Sequence, residues 1–425
     1  VVVLGANGAM GYRCGAQFAA SGLEVTFLAR TIEKAREGLK GAIRSVRSST
    51  LGEMIQCGDY VSDLPAAAAE ADLIFEAVAE NLAVKRALLE QVDLWRGEEA
   101  IVATATSGLS IRRLAEGRSR SFQRHFIGLH FFNPPSIMAG LELIAGEHTE
   151  PALVDFLEAF CEKRLGRIVV RAADAPGFAG NRVGFKVLNE AAQLAERHGP
   201  VFVDRLIGPY TGRAMSPLAT IDLVGWDVHA AIVDNIHANA PDEARSTLRL
   251  PDYMRSLMER GILGRKAGGG FFGEGPEGTL ALDPASGAYR PVESFADSSL
   301  DFIDAVKRRH HVGDYRGGLA ILASASGEAA ALARRVLAGY LSYAFHRAGE
   351  VTATIRGIDL IMGAGFNWAP PSALIDVLGL PAAVRLMDEA GLPVPTLLEE
   401  TLRQGRKGPL FQHPRFDIGR FFVAR

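Results

Sequence analysis

The chain has 425 residues, 48% of them hydrophobic, and a formal net charge of -3 from 46 basic and 49 acidic side chains. That length and apolar content allow two or three domains and exclude disorder as the main state. The near balance of charge excludes an overall field for nucleic acid or for an anionic membrane.

Cys14, Cys57 and Cys161 lie far apart, with no CxxC and no histidine pair beside them. They read as packed thiols in a reducing, cytoplasmic setting, with no zinc site. No apolar run reaches the roughly eighteen residues of a membrane span. The chain opens on Val1 rather than Met, so a leader or short first segment is expected to have been removed.

Taken in order, VVVL, VTFLA, DLIFEAV, AIVATAT, HFIGLHFF, LELIAG and RIVV are short apolar runs separated by alanine-rich amphipathic segments. The alternation predicts a Rossmann-type, doubly wound α/β sheet, mostly parallel, over residues 1–172. The change of period is clearest where DLIFEAV gives way to NLAVKRALLEQVDLW. Past DAPGFAGNR the strand signals fade and residues 173 to about 270 read as helical, until ILGRKAGGGFFGEGPEG supplies a glycine-rich linker. In the last third, DLIMGAGFNWAPPSALIDVLG repeats the order of DRLIGPYTGRAMSPLATIDLVG. Pro217, Asp222 and Gly225 recur as Pro371, Asp376 and Gly379 at identical intervals. A duplicated helical domain is predicted, dividing the chain into 1–172, 173–290 and 291–425.

The first glycine turn, GANGAMG, joins the opening strand to the helix AMGYRCGAQFAAS, with Gly22 as its stop and EVTFLAR as the next strand. A strand leading through glycines into a helix brings bare backbone amides and a positive helix end to a pyrophosphate. A tight packing turn also selects glycine; the full strand, turn, helix and strand order favours the nucleotide reading. Gly5, Gly8, Met10 and Gly11 are its candidate contacts, although Gly5 stands one residue too early for GxGxxG. The second strand ends FLART, with Ala29 where such folds place a ribose-binding acid and Arg30 suited to a 2′-phosphate. The coenzyme is therefore read as NAD or NADP.

In HFIGLHFFNPPSIMAGLELIAG, His130 ends a strand, Asn133 opens a turn and Glu142 lies in the next strand. Two strands so joined can set an imidazole against a carboxylate, fixing the histidine tautomer and raising its basicity. Ser107 follows another apolar strand, where a doubly wound sheet faces its ligand crevice. Ser110 reads as a helix cap. Asn181 stands at the entry to the helical region, a place that also suits a turn residue. His125, His310 and His311 read as surface residues.

These motifs together resemble the 3-hydroxyacyl-CoA dehydrogenase family of fatty-acid oxidation. The resemblance runs through the glycine turn, FEAVAENLAVK, TSGLSI, GLHFFNPP, LELI, DAPGFAGNR and GRKAGGGFF. It implies an oxidoreductase interconverting (3S)-3-hydroxyacyl-CoA and 3-ketoacyl-CoA in β-oxidation, with acyl-CoA as the substrate. It implies two all-α domains like the C-terminal domain of 6-phosphogluconate dehydrogenase, the second replacing a homodimer partner, and a possible fused or associated enoyl-CoA hydratase. It also implies that His130 is the base, that Glu142 orients it, that Ser107, Asn133 and Asn181 meet the substrate, and that Glu80 and Lys85 lie near the nicotinamide. The sequence departs from the family at the extra turn residue, at Ala29, at Ala105 and at Gly108. A dehydrogenase of free hydroxy acids shares this fold, and a non-catalytic binding protein could retain it. GLHFFNPP and the intact set of His130, Glu142, Ser107 and Asn181 favour the CoA enzyme.

Overall fold

The computed structural model describes residues 1–276, 278–295, 297–405 and 408–422. The chain divides into two compact units. One comprises residues 1–179 with 350–353 and 364–366, and the other residues 180–349, 354–363 and 367–425.

The first unit is built on an eight-stranded sheet: β1 (Val2–Leu4), β2 (Val25–Ala29), β3 (Ile55–Asp59), β4 (Leu73–Glu76), β5 (Ile101–Thr104), β6 (Phe126–Phe131), β7 (Gly140–Ala145) and β8 (Ile168–Ala172). The spatial order is β3-β2-β1-β4-β5-β6-β7-β8. The first six strands run parallel, and the order reverses between β1 and β4, the switch point at which such sheets open a ligand crevice. β7 turns back antiparallel to β6, and β8 follows β7 in parallel. Seven of these strands match the apolar runs. β3, with sequence IQCGD, has one buried aliphatic residue and a polar remainder, so periodicity did not reveal it.

The sheet is buried on both faces, which explains why its strands read as continuous apolar runs rather than alternating ones. On one face Phe18, from helix Ala9–Ala20, meets Phe75 and Phe131 edge to face, with ring centroids 5.4 and 6.2 Å away. Cys14 and Cys161 are buried free thiols, and Cys57 is half-buried. His125 is buried, its Nδ1 3.0 Å from the Ser121 carbonyl oxygen, which corrects the surface reading.

The second unit is mainly helical, with long helices at Gly180–His198 and Glu328–Arg347. The glycine-rich stretch read as a linker instead holds the strand Phe272–Gly275, which joins Gly278–Leu282 and Tyr289–Pro291 in a three-stranded antiparallel sheet.

The sequence echo is repeated in three dimensions. Asp204 accepts the Leu218 and Ala219 amides at 2.8 and 3.0 Å, capping the helix that starts at Pro217. Asp359 accepts the Ser372 amide at 2.9 Å, at the start of the helix that begins at Pro371. Asp222 holds the Phe271 and Phe272 amides at 2.9 and 2.8 Å, and Asp376 holds those of Leu410 and Phe411 at 2.8 and 3.0 Å. His310 is buried against Tyr315 and Phe422, whereas His311 is exposed as read.

Candidate active site and coenzyme cradle

The antiparallel return of β7 sets His130 directly opposite Glu142 in the β6–β7 register. Directly opposed residues on one face of an antiparallel pair bring their side chains together. His130 Nδ1 lies 2.6 Å from Glu142 Oε2, and Glu142 is wholly buried. Its other oxygen, Oε1, accepts the Ala179 amide at 2.9 Å. A carboxylate at Nδ1 holds the proton there and leaves Nε2 as the basic nitrogen. No described residue bonds Nε2. The preceding residue, Phe178, has φ 52°, a conformation rarely tolerated by a bulky side chain. Its ring stands 5.7 Å from the imidazole, while its backbone leads into the amide that Glu142 receives.

Phe132 forms another wall of the histidine, with centroids 4.7 Å apart, and Phe366 packs on Phe132 at 5.7 Å. A residue of the C-terminal third therefore backs the wall of His130, which no local motif announces. A Cβ on Gly365 would stand 2.9 Å from the Phe132 ring, so that backing depends on a bare backbone.

Asn133 begins the loop between β6 and β7, and its Oδ1 accepts a hydrogen bond from Arg13 on the helix after the glycine turn. Arg167, just before β8, supports the same loop. Its Nη1 donates to the Pro135 and Met138 carbonyls at 2.6 and 3.0 Å, and its Nη2 to Gln17 at 2.9 Å. Burial lowers the Arg167 pKa from its ordinary value. The sequence gives no sign of this arginine's role, because nothing local shows that its partners are carbonyl oxygens about thirty residues away.

The register Thr104↔Gly128 carries the loop after β5, with Ser107, alongside the end of β6. Glu80 fixes that loop: its Oε1 accepts Thr106 Oγ1 at 2.6 Å and the Ser107 amide at 2.8 Å. Lys85 Nζ lies 3.4 Å from Glu80 and 2.8 Å from Glu76. Glu76, fully buried at the end of β4, also accepts Thr104 Oγ1 at 2.6 Å and the Val78 amide at 2.7 Å. The pair read as Glu80 and Lys85 is thus a triad with Glu76. Its sequence signal was an acid inside the apolar run DLIFEAV, which burial obliges to find a partner. Asp174 holds the other end of the serine loop through Ser110 Oγ and the Ile111 and Arg112 amides, at 2.8 to 2.9 Å.

The extra residue of GANGAMG is taken up by a turn that closes with Gly8 N donating to Gly5 O at 2.9 Å, after which the helix begins at Ala9. Gly5 has φ +79°, and a Cβ on Gly11 would come 2.3 Å from the Gly5 carbonyl oxygen, so the fold itself requires both. At Gly8 the nearest atom to an added Cβ is 3.3 Å away, and the helix amides beyond it start a twelve-residue helix with no acid in its first turn. These features fit a pyrophosphate. Met10 is partly buried against the core behind the turn. Arg30 is exposed and makes no hydrogen bond among the described residues. Asn181 belongs to the second unit, where it is buried in the first turn of Gly180–His198.

Residues 1–175 match the model of the 3-hydroxyacyl-CoA dehydrogenase NAD binding domain, and residues 177–274 that of the family's C-terminal domain. A probable 3-hydroxyacyl-CoA dehydrogenase of Bacillus subtilis is 33% identical over 80% of this chain. The match spans only 43% of that longer protein. A probable 3-hydroxyacyl-CoA dehydrogenase of Deinococcus radiodurans is 35% identical over 64% of this chain and 81% of its own length. The crystal structure of an Escherichia coli 3-hydroxybutyryl-CoA dehydrogenase superposes with a TM-score of 0.69, covering 95% of this chain and 98% of that one. At 22% identity it bears on the fold alone, a fold that includes both helical segments. On the two matched domains and the Deinococcus relative, this chain belongs to the 3-hydroxyacyl-CoA dehydrogenase family.

Proposed function

We propose that the chain interconverts (3S)-3-hydroxyacyl-CoA and 3-ketoacyl-CoA with NAD(H), as in the oxidation of fatty acids. The observation that carries this reading is the His130–Glu142 pair, 2.6 Å apart and buried, in the unit that holds the glycine cradle. When bound, the nicotinamide coenzyme supplies the acceptor for the hydride of C3. His130 Nε2 takes the proton of the 3-hydroxyl, and Glu142 balances the positive charge that the imidazole gains. The Ser107 hydroxyl, on a loop pinned by Glu80, hydrogen-bonds the reacting oxygen, and Asn181 is taken as the substrate-side asparagine. Asn133, held by Arg13, lines the substrate side. Gly8 admits the pyrophosphate on a turn that Gly5 and Gly11 shape, and Met10 supports that turn against the core. Lys85 and Glu80 stand on the nicotinamide side.

Acetoacetyl-CoA is the direct probe, because its carbonyl oxygen must receive the proton held by His130. The parent chain should oxidise NADH in its presence. His130→Ala should lose about 10²–10⁴-fold in turnover while binding NADH as the parent does. A variant that reduces acetoacetyl-CoA at the parent rate refutes the assignment.

With Ala29 in place of an acid and Arg30 beside it, a 2′-phosphate is tolerated in this proposal. The kcat/KM for NADPH should then approach that for NADH and fall in Arg30→Ala. The same proposal takes residues 173–290 and 291–425 as two copies of one helical domain, the second occupying the place of a homodimer partner. The repeated aspartate clamps support it. An associated enoyl-CoA hydratase and a cytoplasmic location complete the reading. No described helix is long and apolar enough to cross a membrane.

A further inference from the structure

The end of β2 raises a question that the family resemblance leaves open: what meets the adenosine ribose when Ala29 replaces the acid. Ala29 is fully buried, and its register partner on β3 is Asp59. The next residue, Tyr60, turns back over this point. Its amide donates to the Ala29 carbonyl at 3.1 Å. Its hydroxyl accepts the Gly5 amide at 2.8 Å, at the start of the glycine turn. A side chain rooted past β3 thus reaches across the end of β2 to the end of β1.

We propose that Tyr60 occupies the place of the missing acid and meets the adenosine ribose as a neutral hydrogen-bond donor, a reading that rests on the chain being a nicotinamide-coenzyme dehydrogenase. Having accepted the Gly5 amide, the hydroxyl still has its own proton to give. Burial pushes the phenol up to about 12, so it keeps that proton throughout the working range. The neighbouring acid, Asp59, is partly engaged, its Oδ1 accepting the Val61 and Ser62 amides, each at 2.8 Å. An acid at this place accepts from the ribose hydroxyls and repels a 2′-phosphate; a phenol donates and repels neither. The residue was hidden in the sequence because β3 itself was hidden.

The test uses the full chain and calorimetric binding of NADH and of its 2′,3′-dideoxyadenosine analogue, to the parent and to Tyr60→Phe. The phenylalanine keeps the ring and removes only the hydroxyl. The variant should bind NADH about 5-fold more weakly, as for one lost neutral hydrogen bond. Removing the ribose hydroxyls should weaken the parent and add little to the variant, so that the two losses do not multiply. A variant that binds NADH as the parent does, or losses that multiply, would show that Tyr60 only props the turn and overturns the proposal. A parent that binds neither NADH nor NADPH overturns the dehydrogenase reading as well, which separates the two failures.

Discussion

Replacing Glu142 with glutamine tests the acid–base pair without changing its shape. Among its partners, the carboxylate accepts His130 Nδ1–H through Oε2 and the Ala179 amide through Oε1. Glutamine has one acceptor oxygen for those two donors. If the oxygen serves Ala179, the amide NH₂ faces Nδ1 and forces the proton to Nε2, which can then take none from substrate. If the oxygen serves His130, two donors face each other at Ala179. Either arrangement also removes the negative charge. Unit charges about 4 Å apart attract by about 4 kcal/mol at an effective dielectric near 20. With part of that recovered by the amide dipole, turnover should fall about 10²–10³-fold at 1.36 kcal/mol per decade. The assay is acetoacetyl-CoA reduction followed at the NADH absorbance, with NADH affinity measured in parallel. Affinity should hold while kcat falls. A glutamine variant within a few-fold of the parent kcat would refute the role given to Glu142.

The two later glycines of the turn should separate cleanly. Gly8→Ala places a methyl where the pyrophosphate approaches, with its nearest protein neighbour at 3.3 Å, so NADH affinity should drop at least tenfold while the urea midpoint barely moves. Gly11→Ala drives a methyl to 2.3 Å from the Gly5 carbonyl, and a loss of about 1–3 kcal/mol in stability is expected; the reverse pattern in either assay refutes the division. Burial raises the Asp204 carboxyl from 3.8 to about 7. Between those values the folded chain holds a proton that the unfolded chain has released, so this group makes stability fall as pH rises through that window. Asp204→Asn cannot titrate, and urea midpoints at pH 5 and pH 7.5 should differ less in the variant than in the parent; equal slopes would refute the assignment.

The features legible in the sequence share a physical basis. Continuous apolar runs mark strands covered on both faces, and seven of the eight strands of the large sheet announce themselves so. The dyad was legible because the turn between its strands is short enough to make His130 and Glu142 cross-strand neighbours. What escaped is what long-range contacts determine. β3 has too few apolar residues to show a period, and Tyr60 escaped with it. Glu76 was visible as an acid in an apolar run, but its union with Lys85 required the fold of the loop between them. Arg167 and Phe366 act on parts of the site far away in sequence, and no local pattern encodes that. The glycine-rich stretch near residue 270 has the composition of a linker, yet Asp222 clamps two of its amides and β-strands follow.

The dyad also bears on the order in which the molecule comes together. Twelve positions separate His130 from Glu142 along the chain, whereas fifty-five separate Gly5 from Tyr60. Contacts between near neighbours close at small entropic cost, and distant ones wait for the chain to collapse around them. The His130–Glu142 contact thus closes within a single hairpin, whereas the Gly5–Tyr60 contact depends on a pairing that only a largely completed sheet can enforce. Mutations that slow or loosen the sheet's β3 edge should therefore reach the Gly5–Tyr60 contact before they reach the His130–Glu142 pair.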